Sequence, residues 1–144
     1  MKRLRARTTH EAGQEAVEFA LILPLLLLVM FGVLDLGRAF HAAITITNAA
    51  RVGARYGMSY PDDTSGIIAA TQSEAQGSGI DLTDGATSTI TVECLDPIWG
   101  TPGVPCVSGV PIRVTVTYNF SLIITSVLPD PNIEISRFVE MIVP

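Results

Sequence analysis

The sequence predicts an α+β chain in which a long N-terminal helix, apolar over its first half, leads into a small domain built on an antiparallel sheet of about three strands. Three observations predict it. Residues 19–34 contain no charge, the helical pattern continues to about Met58, and three stretches of alternating character follow after residue 88.

The apolar run comes first. Residues 19–36 carry one charge, Asp35, near the far end. At about 1.5 Å per residue such a helix is about 27 Å long, close to the hydrocarbon thickness of a bilayer. Leu25, Leu26, Leu27 and Leu28 make it apolar on every side, which favours lipid over a soluble core. Lys2, Arg3, Arg5 and Arg7 precede it, so the bias of basic residues places the N-terminus in the cytoplasm and the rest outside. Pro24 removes one helical hydrogen bond and is expected to kink or loosen the span locally. A cleaved secretory signal is the alternative. It is disfavoured because the run passes into Asp35-Leu36-Gly37-Arg38 and further helix instead of a small-x-small cleavage site.

Just before the span stand Gly13-Gln14-Glu15-Ala16-Val17-Glu18-Phe19. A basic leader, a glycine, a carboxylate five residues later and an apolar helix resemble a type IV prepilin start, in the Tad/Flp version with Glu18-Phe19. The stretch GQEAVEFALILPLLLLVMFGVLDLGRAF and the later NAARVGARYG resemble the TadE-like family of pseudopilins. The resemblance covers residues 13–57. It implies a pilin-like fold, cleavage after Gly13 by a membrane prepilin peptidase, and Gln14 as the new N-terminus. Glu18 would then pair with a subunit's new ammonium group, cancelling two charges that neither could bury alone. Glu18 snorkelling to the interface is the plainer reading of its position. Gln14 departs from the apolar or aromatic first residue of major pilins, which puts N-terminal methylation in question. The family also implies other pilins or pseudopilins, an inner-membrane platform and an assembly ATPase as partners. It implies residence in the bacterial cytoplasmic membrane, or in a pilus built from it. The expected division is a leader at 1–13, a transmembrane helix at 14–37, its continuation at 38–60 and an extracytoplasmic α+β domain at 61–144.

Beyond the span, Leu36, Phe40, Ile44, Thr47, Arg51 and Ala54 recur at helical spacing as a mainly apolar stripe. Asp35 and Arg38 share a face and can pair, as an interfacial anchor or a subunit contact. Small residues repeat at Ala49, Gly53 and Gly57, and the Gly53/Gly57 pair permits close helix packing, with another subunit or with the chain's own sheet. Residues 65–76 read as a short amphipathic helix. The strands are expected at about 89–95, 110–120 and 133–142, with Ile90, Val92, Ile112, Val114, Val116 and Tyr118 inward. An apolar connection over 122–128 ends at Pro129-Asp130-Pro131.

Cys94 and Cys106 bracket a loop rich in proline and glycine, with Trp99 within it. A disulfide is expected there in an oxidising compartment; free thiols and a metal site are the alternatives, the metal lacking further ligands nearby. Trp99 packs beside the disulfide or serves as a contact point for a partner. No catalytic residue, cofactor or metal site is expected. His10 and His41 lie outside the domain proper, Asp81 and Asp84 lack the ligand series of a calcium loop, and Lys2, the single lysine, sits in no phosphate-binding loop. Without residues 1–13 five basic side chains face thirteen acidic ones, a formal charge of about −8 that excludes nucleic acid as a natural partner. An uncleaved single-pass envelope protein that interacts with a secretion or pilus machine is the alternative to the pilin reading.

Overall fold

The computed structural model describes residues 10–123 and 132–144. Helix α1 runs His10–Ser59 and α2 Thr64–Gly77, followed by strands β1 Ser88–Cys94, β2 Pro111–Ser121 and β3 Asn132–Ile142. The strands form one antiparallel sheet in the order β1-β2-β3, with β2 central. The basic cluster at Lys2, Arg3, Arg5 and Arg7 and the Pro129-Asp130-Pro131 end of the apolar connection lie outside the described residues. The long helix, the sheet of three strands and the α+β class agree with the sequence expectation.

Helix α1 is unbroken through Pro24 and serves two environments. Residues 13–34 are exposed throughout. From Asp35 onward the helix has a buried face made of Ala42, Ile46, Ala49, Ala50, Gly53, Ala54 and Gly57. The apolar stripe that begins Leu36, Phe40, Ile44 is a different face; these three side chains point outward. The small-residue face wins because it lets two layers approach closely. A Cβ on Gly53 would strike the Thr71 hydroxyl, and one on Gly57 would lie 2.6 Å from Ile112 Cδ1 and 3.1 Å from Ile67 Cδ1. The GxxxG pair therefore seats α2 and the sheet of its own chain.

Strand alternation then fixes the rest of the core. Ile112, Val114, Val116 and Phe120 of β2 point towards α1 and are buried, while Arg113, Thr115 and Thr117 take the other face. Register places Val92 opposite Val114 and Val139 opposite it on the far side, so one layer of β-branched residues crosses all three strands. On the outer face Arg113 bonds Glu140 at 2.5–2.8 Å and stands 5.0 Å above the Phe138 ring.

Asp63 starts α2. Its carboxylate accepts hydrogen bonds from the Gly66 amide at 2.9 Å, the Ser65 hydroxyl at 2.8 Å and the Tyr56 hydroxyl at 2.9 Å. Led by the amide bond, these hold Asp63 below the usual carboxylate range, and the bond to Asp63 pushes the Tyr56 phenol up. Cys94 and Cys106 form a disulfide that closes the loop after β1.

Two predictions follow from this packing. Gly53→Ala should cost about 2–3 kcal/mol, because the Thr71 hydroxyl is held by the Ile67 carbonyl and cannot easily yield. Gly57→Ala should cost about 1 kcal/mol, since only the ends of flexible isoleucines must shift; denaturant unfolding of the full chain in micelles measures both. For pH, the folded carboxyl of Asp63 lies below its ordinary value of 3.8. Its contribution is complete above that value and is lost as the pH falls through the lower, folded one. Asp63→Asn should therefore flatten the fall of melting temperature between about pH 5 and pH 2 without abolishing it, because Asp81, held down by its bonds from Thr83, titrates in the same direction.

Candidate functional site

The chemistry-bearing residues lie along α1, so the helix is the candidate site. In its apolar half, an 18-residue window has a mean hydropathy of 2.6 and none of that window is buried. A helix long and apolar enough to cross a bilayer, and left uncovered by its own protein, is suited to membrane anchoring. It also continues without a break into the core of the folded domain. Cleavage of a secretory signal near residue 40 would cut the domain's own helix.

Gly13, Gln14, Glu18 and Phe19 all lie on the exposed surface of α1, Gly13 with open space around its Cα and Phe19 62% exposed. Glu18 is one turn inside Gln14, on a helix whose next sixteen residues hold no charge. Gly53 and Gly57 stand at the opposite end, engaged by α2 and β2 as described.

At the border between the two halves is a group of contacts that the sequence did not reveal. Asp35 is only 3% exposed. Its carboxylate accepts the Arg38 guanidinium at 2.9 Å and the Ile123 amide at 2.8 and 3.1 Å. Arg38 in turn lies 4.9 Å over the Phe120 ring and reaches the Ser121 carbonyl at 3.5 Å. The end of β2 is thus tied to the helix just where the exposed apolar run stops. The i, i+3 pair was legible; the tie to residue 123 joins positions 88 apart and has no local signal.

At the other end of the sheet the Cys94–Cys106 loop is shaped by its own backbone. Asp96 accepts the amides of Ile98 and Trp99, each at 2.8 Å, and Gly100 turns the chain at φ +65°. Ile98 and Trp99 are left about four-fifths exposed. Trp99 thus does not pack beside the disulfide. Among the described residues no cluster of histidine, cysteine, aspartate or glutamate is arranged to hold a metal ion.

Removing the Asp35 carboxylate leaves the Ile123 amide and Arg38 without their acceptor. Asp35→Ala should cost about 2–3 kcal/mol, a buried charged hydrogen bond discounted for the half-exposed arginine. Amide hydrogen exchange should locate the effect, with protection at Ile123 lost and that of Val114 changed only through global stability.

The comparisons with known proteins bear on this same helix. Residues 13–55 match the family model described as TadE-like protein, a match that begins at Gly13 and ends within the small-residue face. No curated protein and no solved structure matches the chain. Across residues 13–55, from Gly13 through the apolar run and the Asp35–Arg38 border, the chain is similar to the TadE-like family.

Proposed function

We propose that this chain is a minor pilin or pseudopilin that acts in assembly of a Tad/Flp-type pilus. It spans the bacterial cytoplasmic membrane with its N-terminus inside, and a prepilin peptidase cleaves it after Gly13. The observation that carries this reading is the TadE-like segment, joined to an apolar helix that its own domain leaves uncovered. The work is done by helix packing and charge pairing, without catalysis.

The chemistry supports the order of events. Glycine at the cut presents no side chain to the peptidase, and the basic residues hold the site against anionic lipid. Cleavage creates an ammonium group on Gln14. Glu18 of a neighbouring subunit then offers it a carboxylate at the same depth, and the pair enters a low-dielectric helix bundle at far lower cost than either charge alone. Leader removal thereby becomes a condition for subunit addition. Other pilins, a platform protein and an assembly ATPase are the partners this requires.

Two measurements test it. Co-expression with the peptidase and N-terminal sequencing should give a chain starting at Gln14; a chain retaining residues 1–13 contradicts the reading. Glu18→Leu should leave cleavage intact while lowering pilus yield at least about tenfold, the effect of roughly 1.4 kcal/mol per added subunit.

A further inference from the structure

We infer that Cys106 is the cysteine through which this chain exchanges with an external thiol or disulfide, and that Cys94 is the buried partner that closes the bridge. A donor of disulfide bonds then meets the folded chain at one sulfur only.

The two halves of the bridge differ in where the backbone puts them. Cys94 ends β1 opposite Ile112 of β2, is 3% exposed and belongs to the core. Leu95 beside it is also buried. The Cys94 carbonyl accepts the Gly103 amide at 3.1 Å, so the loop folds back over it. Cys106 lies in no strand and is half-buried, between the exposed Pro105 and Val107. Solvent therefore reaches the bridge from the Cys106 side.

Exchange is a displacement at sulfur, with the incoming thiolate in line with the bond that breaks, so access decides which sulfur is attacked. Approach to Cys94 Sγ leads through the core, whereas approach to Cys106 Sγ comes from the exposed loop. On opening, an external thiolate forms a new S–S bond to Cys106 and the Cys94–Cys106 bond breaks. Cys94 leaves with the electron pair and takes up a proton. On closing, the Cys106 thiolate attacks the donor disulfide and expels one donor thiolate. Cys94 gives up its proton and displaces the second donor thiolate from Cys106. The chain loses two electrons and two protons, and the donor disulfide is reduced to two thiols.

Cys94 is kept in place by contacts that do not involve sulfur. The Leu95 amide donates to the Pro111 carbonyl at 2.9 Å and the Asp96 amide to the Thr101 carbonyl at 2.8 Å, next to the β1–β2 pairing. The two cysteine Cα atoms lie 5.4 Å apart, within the span of a bridge. A mixed disulfide at Cys106 is thus resolved from within the chain.

The full chain in micelles tests this, with glutathione as the probe. Cys94→Ser leaves Cys106 as the single thiol, and Cys106→Ser leaves Cys94. With oxidised glutathione in mildly alkaline buffer, mass spectrometry should show the first variant gaining glutathione at least about tenfold faster than the second. Denaturant should remove the difference. Equal rates in the folded variants, or a faster reaction at Cys94, overturn the inference. So does a difference that persists in denaturant, because burial is then not its cause. Should melting temperatures show either variant unfolded, the unsubstituted oxidised chain decides. Brief treatment with reduced glutathione and an acid quench should leave glutathione on the peptide containing Cys106 and a free thiol at Cys94; glutathione chiefly on Cys94 overturns the inference.

Discussion

The carboxylate of Asp35 sits where an exposed apolar helix, suited to lipid, becomes the spine of a folded domain. A charge at that position would be costly in hydrocarbon and weak in water. Here it is covered by the end of β2, neutralised by Arg38 and bonded to the Ile123 amide. Among the described residues no buried side-chain polar atom lacks a partner, so the burial of this charge is fully compensated. The contact fixes the height of the domain along the helix, and with it the length of helix left for the membrane. The domain and the span are thus joined by one continuous helix.

Packing above that border follows from residue size. Alanine and glycine line the face of α1 that meets α2 and the sheet, and they bring the layers close enough for Ile46, Ile67, Ile112, Val114 and Val116 to bury almost completely. Large apolar residues are thereby displaced to the outside at Leu36, Phe40 and Ile44. On a monomeric soluble protein such a stripe would be a liability. Here it is continuous with the exposed apolar span. The small domain, supported by a single modest core, gains further from the Cys94–Cys106 crosslink, which restricts the unfolded chain by about 3 kcal/mol.

Much of this was legible in the sequence wherever the signal is local. Alternation identified the inward residues of β2, because a strand's period of two leaves few choices once Ile112, Val114 and Val116 line up. The end of α1 near residue 59 and both limits of α2 were close to expectation for the same reason, with Pro61 and Asp63 marking the break. The buried face of α1 was harder. Periodicity finds that a stripe exists, but it weights Leu36, Phe40 and Ile44 above alanines, whereas close packing reverses that order. The partner of Asp35 was out of reach, since a side chain bonding a backbone amide 88 residues away leaves no trace in composition or spacing. At the N-terminus the motif was plain, and what remained was the meaning of Gly53 and Gly57, which sequence alone could assign equally to an internal or an external helix partner.

The account depends on lipid ending at Asp35, and site-directed spin labels along α1 examine that most directly. Labels replacing Leu25, Val29 and Val33 in reconstituted membranes should be relaxed by oxygen, which concentrates in hydrocarbon. Labels at Phe40 and Ile44 should respond instead to a water-soluble nickel chelate. Oxygen accessibility at Ile44 equal to that at Val29 would place the border well beyond Asp35 and contradict the assignment.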